Sequence, residues 1–396
     1  MDVLGGLNKM VKYNCLNPIS NEGLKRLTGD YEKVENFAEA DIALVRSAAM
    51  HDLELPKQLL AVARAGAGVN NIPLDKCADQ GIVVFNTPGA NANGVKELVI
   101  TSMIVASRNM IDANGWVADN KDDENIGKTM EKAKSKYAGT EIKGKKLGVI
   151  GLGAIGVLVA NAASALGMEV MGCDPFLSVQ NALNLSGKVN LVKTREEIFQ
   201  NCDYISVHVP LLDDTREMIN KDTIAQMKDG VIILNFARDL LVCEADVIEA
   251  LKSGKIRKYA TDFPSSKLAN TENVIAFPHL GASTEEAEDN CAVMAVDELV
   301  DYVENGNIKN SVNFPACDLG VCHTPGRIGV LHKNVSGVIS ALTNACGEAG
   351  INIEKMINQS RGEYAYSLLD ISKADAQDIA DVISSKEGIL RVRVIK

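Results

Sequence analysis

Two side chains suited to moving a hydride and a proton stand directly after short apolar runs. His279 follows the run Val274–Phe277, and Arg238 follows the run Val231–Leu234. An imidazole titrates near neutral pH, so it can take a proton from a hydroxyl group while hydride leaves the same carbon. A guanidinium can form paired hydrogen bonds with a carboxylate and polarise a neighbouring carbonyl. The alternatives are a structural histidine and a surface ion pair between Arg238 and Asp239.

A glycine-rich turn supplies a second chemical feature. The segment Gly151-Leu-Gly-Ala-Ile-Gly156 follows the apolar run Leu147–Ile150 and opens an apolar helix. Its glycines permit a tight turn and close backbone approach, and the helix N-terminus favours a pyrophosphate. Asp174 stands about 20 residues further on, where a carboxylate binds ribose hydroxyls and repels a 2′-phosphate. The pattern predicts an NAD site, and a glycine-rich turn with an incidental acid is the alternative.

The elements that would position these residues alternate regularly after Lys145. Uninterrupted apolar strands indicate burial on both faces, hence a parallel sheet covered by helices. Ligands bind at the carboxyl ends of such strands, where Asp174, Arg238 and His279 stand. The predicted strands are Leu147–Ile150, Val170–Cys173, Tyr204–Val209, Val231–Leu234 and Val274–Phe277.

The flanking regions predict two further structural units. The first residues indicate a second α/β sheet, and acidic helical turns over Thr284–Val303 would return the chain to it. Residues 310–327 read as a linker, and the last seventy or so residues follow a βαββαβ pattern, which is ferredoxin-like. The predicted N-terminal elements are strands Val11–Cys15, Ile42–Val45 and Ile82–Phe85, helical segments Asn21–Leu27 and Leu59–Arg64, and a buried helix Val95–Arg108.

Composition excludes several classes of protein. The 396 residues carry 41 Lys and Arg against 52 Asp and Glu, a net charge of −11, which argues against nucleic acid and anionic membrane as partners. Nine scattered cysteines without a CxxC pair and the lack of a signal pattern favour the cytoplasm. Cys317, Cys322 and His323 lie close together, but we expect thiols there and no metal site.

Several of these motifs, taken in order, resemble the D-2-hydroxyacid dehydrogenase family. The resemblance rests on Gly151–Gly156 with Asp174, His208-Val-Pro-Leu, Asn235-Phe-Ala-Arg238 and Pro278-His279. The tail, with His332-Lys-Asn334 and Gly350-Ile-Asn352, is similar to an ACT regulatory domain. The implied fold class is α/β, with a doubly wound parallel Rossmann-type nucleotide domain, a flavodoxin-like α/β substrate domain and a C-terminal ferredoxin-like ACT domain. The predicted substrate-binding domain comprises residues 1–94 and 283–311, and the predicted NAD-binding domain comprises residues 95–282. A linker is predicted over residues 312–325 and the ACT domain over residues 326–396.

The resemblance also implies roles for individual residues. Arg238 would bind the substrate carboxylate, and His279 would act as general acid and base. Asp262 would face the nicotinamide amide. The implied cofactor-binding residues are Gly151, Gly153, Ile155, Gly156, Asp174, His208, Pro210, Ala237, Asp262 and Gly281. The implied substrate-binding residues are Arg46, Ser47, Gly68, Val69, Asn91, Lys134 and Arg238, and the implied effector-binding residues are His332, Asn334 and Asn352. The resemblance implies that backbone N–H groups of the loop 66–69 meet the substrate carboxylate and that Arg46 and Lys134 hold the phosphate.

The reaction that the resemblance implies is NAD-dependent oxidation of 3-phosphoglycerate to 3-phosphohydroxypyruvate, the first step of phosphorylated L-serine biosynthesis. L-serine is the expected effector, and the expected assembly is a homodimer or a homotetramer. Alternatives are another family reaction, such as glyoxylate or hydroxypyruvate reduction, and a non-catalytic NAD-gated binding protein. For Lys134 the alternative is a solvated charged helix. One departure matters: the family usually has a Glu soon after Asp262, but Phe263–Lys267 contains no acid. Either Glu272 or an acid elsewhere would replace it, or His279 would work unassisted.

Overall fold

Short apolar runs in the N-terminal region form a five-stranded parallel sheet in the computed structural model, which describes residues 10–396. The elements are β1 (Val11–Cys15), α1 (Asn21–Leu24), β2 (Tyr31–Lys33), β3 (Ile42–Val45), β4 (Ala61–Arg64), α2 (Leu74–Asp79) and β5 (Val83–Phe85). The strand order is β2-β1-β3-β4-β5. Strands β3 and β5 are buried along their whole length, as uninterrupted apolar runs predict.

The helical prediction for Leu59–Arg64 is wrong, because residues Ala61–Arg64 form strand β4. This strand pairs in parallel with β3 on one side and with β5 on the other. Ala61, Val62 and Ala63 are fully buried. Burial on both faces of a central strand outweighs the helix preference of alanine, which is weak beside tertiary packing. The helix predicted over Asn21–Leu27 forms but ends at Leu24.

The middle of the chain, residues 92–284, is a compact unit built on a seven-stranded parallel sheet. Its first helices are α3 (Ala92–Arg108), α4 (Met110–Asp119) and α5 (Ile126–Ala133). The alternating elements that follow are β6 (Lys146–Ile150), α6 (Ala154–Ala165), β7 (Glu169–Cys173), α7 (Val179–Asn184), β8 (Asn190–Leu191), α8 (Arg195–Asn201), β9 (Tyr204–Val207), α9 (Lys221–Gln226), β10 (Val231–Asn235), α10 (Glu244–Ser253), β11 (Ile256–Thr261), α11 (Ser266–Ala269) and β12 (Val274–Ala276).

The strand order β12-β11-β10-β9-β6-β7-β8 makes this sheet doubly wound. The chain winds outward from β6 in one direction through β7 and in the other through β9, so the order reverses between β6 and β9. Ligands bind at such a reversal, outside the carboxyl ends of the strands. The uncharged stretch 147–168, long enough in sequence to span a membrane, folds as strand β6, a turn and helix α6. Among residues 10–396 no helix has the length and apolar character needed to cross a bilayer.

The C-terminal part returns to the first unit, which comprises residues 10–91 and 285–396. Its elements are α12 (Glu285–Asn305), β13 (Gly326–Lys333), α13 (Val338–Glu348), β14 (Ile353–Arg361), β15 (Tyr364–Ile371), α14 (Gln377–Ser384) and β16 (Ile389–Val394). The four strands form an antiparallel sheet in the order β14-β15-β13-β16. This βαββαβ arrangement confirms the ferredoxin-like pattern predicted for the tail.

Two arginines on β16 connect this tail sheet to the rest of the first unit by hydrogen bonds. The Arg393 guanidinium donates to the carbonyl oxygens of Tyr302 and Val303, at 3.0 and 2.9 Å, near the C-terminal end of α12. A cation is favoured there, because the last helical carbonyls lack partners within the helix. Arg391 donates to the carbonyl oxygens of Leu59 and of two other residues, Lys57 and Gln80. The tail and the first sheet therefore share one packed core.

Candidate active site

The glycine turn after β6 has the geometry that a pyrophosphate needs. Gly151 has a φ of +92°, which disfavours a side chain. A Cβ at Gly156 would lie 1.9 Å from the carbonyl oxygen of Gly151, so only glycine allows α6 to start this close to the turn. A Cβ at Gly153 would meet no atom within 4 Å, and no side chain caps α6 there. The first N–H groups of α6 are therefore open to an anion.

Asp174, directly after β7, is locked beside this turn. Its Oδ2 accepts a hydrogen bond from the Leu152 N–H at 2.8 Å, and its Oδ1 accepts one from the Phe176 N–H at 2.8 Å. Each carboxylate oxygen can accept a further hydrogen bond. The carboxylate is thus fixed next to the glycine turn with capacity left for ribose hydroxyls, which fits the group predicted to bind here.

Asp174→Asn is expected to weaken the preference for NAD over NADP. The negative charge opposes a 2′-phosphate, and two unit charges about 4 Å apart interact by about 4 kcal/mol at an effective dielectric constant of about 20. We expect the ratio of the NADP and NAD dissociation constants to fall by about tenfold or more, measured by fluorescence titration. Asp203→Asn is the matched control, because Asp203 accepts from Lys146 N at the opposite end of β6. A ratio unchanged by Asp174→Asn would contradict the assignment.

His208 lines the same turn, and its burial makes it a weak base. Burial lowers the pKa of its imidazole to about 4, so the ring is neutral at neutral pH. Its Nε2 lies 2.8 Å from Ser206 Oγ, and its buried Nδ1 has no partner among the described residues. The carbonyl oxygen of His208 lies 2.7 Å from where a Cβ on Gly151 would stand. His208 therefore packs against the turn, a place suited to lining a cofactor.

A buried carboxylate joins the ends of β11 and β12. Asp262 is 1% exposed, and its Oδ2 accepts from the Gly281 N–H at 3.1 Å. Burial raises the pKa of this carboxyl, while the Gly281 hydrogen bond and the charges of His279 and Arg238 oppose that rise. Its Oδ1 is buried and has no partner within residues 10–396. Buried acceptors are almost always paired, so this oxygen fits a donor such as the N–H of a carboxamide.

His279 lies beside Asp262 at the mouth of a cavity of about 410 Å³. Its N–H donates to the Asp262 carbonyl at 3.1 Å, and its ring packs on Phe263 with centroids 5.0 Å apart. The φ of His279 is +52°, which is uncommon for a residue with a side chain. Strain of this kind is found where structure holds a functional side chain in place.

Arg238 is exposed at the end of β10, where a substrate could reach it. Its Nη1 donates to the Ala237 carbonyl at 2.6 Å, and Asn235 Nδ2 donates to the Arg238 carbonyl at 2.8 Å. Arg238 forms no ion pair with Asp239 within residues 10–396. Arg238 and His279 both act on the carboxyl of Asp262. The structure thus brings the two predicted catalytic residues to one end of the sheet.

The acid that could serve His279 is not Glu272. Glu272 precedes β12, whereas His279 follows it, so the two side chains lie at opposite ends of that strand. Glu272 lines a different recess, together with Asp112 and Lys258. Three other carboxylates line the cavity of His279, namely Asp239, Glu244 and Asp262. Of these, the family resemblance had indicated only Asp262.

Arg46 and Ser47, two of the predicted substrate residues, are held by Asn17, which sequence analysis missed. Asn17 Oδ1 accepts from the N–H groups of Arg46 and Ser47, both at 3.0 Å, so it fixes the loop after β3. Arg46 also forms an ion pair with Glu288 at 2.5 Å. The Arg64 Nε donates to the Arg46 carbonyl at 3.0 Å. Gly68, Val69 and Asn91 belong to this unit, whereas Lys134 belongs to the other.

Lys134 is exposed and pairs with Glu131, one helical turn away. The pairing is what a solvated charged helix would show, and the phosphate-binding role of Lys134 stays a prediction.

Cys317 and Cys322 are free, buried thiols, and the thiol of Cys317 donates to the Tyr366 carbonyl at 3.4 Å. Residues 10–396 contain no group of three His, Cys, Asp or Glu side chains placed to hold a metal ion.

The predicted effector residues do not meet within one chain. His332 is 2% exposed, and its Nε2 lies 3.1 Å from Asn358 Oδ1 and 3.0 Å from Ser367 Oγ. Asn334 donates to the Gly362 carbonyl at 3.1 Å, just after β14 ends. Asn352 stands just before β14 begins and donates to Glu354 at 2.9 Å. The nine residues of β14 therefore separate Asn334 from Asn352.

Comparison with known proteins agrees with this geometry. Residues 100–281 match the family model described as D-isomer specific 2-hydroxyacid dehydrogenase, NAD binding domain. A D-3-phosphoglycerate dehydrogenase of Haemophilus influenzae is 34% identical over 87% of this chain and 83% of its own length. The corresponding Bacillus subtilis protein is 34% identical over 83% of this chain, which spans 63% of that relative.

Solved structures agree as well. The NAD⁺-bound 3-phosphoglycerate dehydrogenase of Entamoeba histolytica aligns with a TM-score of 0.59 and 29% identity, over 76% of this chain and 98% of that one. A glyoxylate reductase from Paecilomyes thermophila aligns with a TM-score of 0.61 over 77% of this chain and 99% of that one. The second is 23% identical, and its likeness supports the fold alone.

Proposed function

The chain belongs to the D-isomer specific 2-hydroxyacid dehydrogenase family, and from this membership we propose that it oxidises 3-phosphoglycerate to 3-phosphohydroxypyruvate with NAD. The observation that carries the proposal is the buried Asp262, which has a free oxygen and lies beside both His279 and Arg238. The relatives that bear the name D-3-phosphoglycerate dehydrogenase support the substrate.

The cofactor would be held by the turn Gly151–Gly156, by Asp174 and by the free oxygen of Asp262. NAD, when bound, supplies the carbon that accepts a hydride. The protein provides the rest: Arg238 binds and orients the substrate carboxylate, and His279 takes the proton of the C2 hydroxyl. Asp262, buried next to His279, favours the imidazolium that results, because an opposite charge nearby stabilises the charged form.

Lys134→Ala tests the phosphate assignment. We expect the KM for 3-phosphoglycerate to rise by about tenfold with kcat nearly unchanged, because a lost charge-assisted hydrogen bond costs about 1.5–3 kcal/mol. Oxidation of D-glycerate, which lacks the phosphate, should not change. Lys132→Ala is the control from the same charged segment. An equal KM for phosphorylated and unphosphorylated substrate in the wild type would remove the phosphate from the proposal.

A second candidate function is reduction of glyoxylate or hydroxypyruvate. It is favoured by the ion pair between Arg46 and Glu288, because Glu288 neutralises the positive charge of Arg46 that would otherwise attract a phosphate. The wild-type comparison of D-glycerate with 3-phosphoglycerate separates the two reactions. A chain that binds NAD but oxidises neither would be the non-catalytic NAD-gated binding protein.

The tail and the assembly belong to the same proposal. The tail sheet is a regulatory ACT domain that binds L-serine, and the separation of Asn334 from Asn352 requires the effector site to form between two copies. The homodimer is supported by the exposed apolar side chains Met110, Ile111 and Val117 on α4. Nine free cysteines fit a cytoplasmic location.

A further inference from the structure

The loop Gly66–Val69, which the family resemblance assigns to the substrate carboxylate, is held by a residue with no assigned role. Asn86 follows β5, and its Nδ2 donates to the Ala67 carbonyl at 2.6 Å. The neighbouring Thr87 N–H donates to the Gly66 carbonyl at 3.1 Å. These two bonds fix consecutive peptide groups of the loop, so they set the direction in which its N–H groups point.

Asn86 is itself fixed by a polar chain that leads into helix α12. Its N–H donates to the Asn310 carbonyl at 3.3 Å, and Asn310 Nδ2 donates to Glu298 Oε1 at 2.6 Å. Glu298 is 7% exposed, which is unusual for a carboxylate without an ion pair. Its Oε2 has no partner among residues 10–396. Burial of such a carboxyl group costs free energy of folding, so we infer that its hydrogen bond from Asn310 serves to hold Asn310 in place.

The segment after Asn310 keeps the chain aligned with β5. Val312 N–H donates to the Val84 carbonyl at 2.9 Å, and the Val84 N–H donates to Asn313 Oδ1 at 2.9 Å. Asn313 Nδ2 donates in turn to the Ile82 carbonyl at 2.9 Å. The carbonyl of Asn310 is thereby held at a fixed place beside the end of β5. Asn86 therefore has little freedom to leave Ala67.

We propose that Asn86 is a positioning residue for the substrate loop Gly66–Val69, and that Asn310 and Glu298 hold Asn86 in place. This inference rests on the proposed function, because it assumes that the loop binds the carboxylate of a 2-hydroxy acid. Backbone N–H groups bind a carboxylate well only when they are oriented before the substrate arrives, and supporting contacts behind the loop supply that orientation.

Asn86→Ala provides the direct test. We expect the KM for 3-phosphoglycerate to rise about threefold to tenfold, the range for loss of one hydrogen bond, with kcat and the dissociation constant of NAD unchanged. Hydrogen exchange followed by mass spectrometry should show faster exchange of the amides at 66–69. Asn70→Ala is the matched control, because Asn70 adjoins the loop but its side chain is exposed and forms no hydrogen bond to the loop in the described part of the chain. The control should change neither quantity.

Glu298 allows a test by rescue. Glu298→Ala removes the acceptor of Asn310 and should raise the KM and loop exchange in the same direction as Asn86→Ala. Glu298→Gln keeps an oxygen acceptor and should restore both values to within about twofold of the wild type. The double variant with Asn86→Ala should be no worse than Asn86→Ala alone, since both changes act on one chain of contacts.

The two readouts separate failure of the inference from failure of the proposed function. Unchanged loop exchange in Asn86→Ala would overturn the positioning role, whatever the enzyme oxidises. Faster exchange with an unchanged KM in an active enzyme would also overturn it, because the loop would then not serve the substrate. A wild type that does not oxidise 3-phosphoglycerate would overturn the proposed function, and the same KM comparison with glyoxylate would then decide the role of Asn86.

Discussion

Replacing His279 with Asn should lower kcat by about 100-fold to 10,000-fold while NAD still binds. A positioned general base contributes a factor of this size to proton transfer. Asn is chosen because the φ of His279 is +52°, a region that Asn tolerates better than Ala. The substitution therefore removes the imidazole with little change to the backbone between Asp262 and Gly281. NADH formation in a stopped assay measures kcat, and fluorescence titration measures NAD binding.

The pH profile of the same variant adds a second check. Loss of the base should flatten the dependence of kcat on pH that a general base produces. His323→Ala is the matched control, because His323 is exposed and lies outside the proposed site. His208 cannot take over the role, since its pKa is about 4. A His279→Asn enzyme that keeps more than a tenth of the wild-type kcat would exclude His279 as the base.

The strand, the glycine turn, the helix that follows and the place of Asp174 beside them could be predicted from sequence because these parts are local. Gly151–Gly156 and Asp174 lie within one strand-turn-helix-strand segment, where residue spacing determines geometry. Arg238 and His279 were predictable for a related reason. Each lies three residues after the end of a strand, and parallel strands bring their carboxyl ends to one edge. For these residues the pattern of apolar runs is enough to predict that they lie at the same edge of the sheet.

The supporting contacts could not be predicted, because they join residues far apart in sequence. Asn17 fixes the backbone at Arg46, and Asn86 reaches Asn310 and through it Glu298. No spacing rule marks such pairs, since a buried asparagine gives the same signal as one in a turn. The misassigned strand at Ala61–Arg64 has the same origin. Its neighbours in the sheet, which lie elsewhere in the chain, decide its conformation.

The acids beside His279 show most clearly which contacts cannot be predicted from the sequence. The sequence left Glu272, an acid elsewhere or no acid as alternatives, and Glu272 lies at the opposite end of β12 from His279. The cavity instead collects Asp239 and Glu244 from the connection after β10 and Asp262 from the end of β11. A cavity built from several strand ends has no signature in a single segment of sequence.

Arg327→Met should destabilise the tail sheet by about 3–5 kcal/mol, the largest stability effect that we expect in this chain. Arg327 is fully buried, and its Nε and Nη2 donate to the two carboxylate oxygens of Asp370 at 2.5 and 3.0 Å. Its Nη1 donates to the carbonyls of Asn305 and Gly320 at 2.8 and 2.6 Å. The substitution leaves the Asp370 charge buried without a partner, which costs about this much free energy.

Hydrogen exchange of the β13 and β15 amides measures this loss as a local free energy of opening, which is suitable because a chain of two units need not unfold in one step. The double variant Arg327→Met with Asp370→Leu removes both charges and should recover much of the loss. Lys373→Ala is the matched control, since it breaks the exposed pair with Asp378 and should cost little free energy. If Arg327→Met costs no more than this control, the buried pair does not stabilise the tail sheet. The bonds from Arg327 to Asn305 and Gly320 would then contribute little as well, because the same substitution removes them.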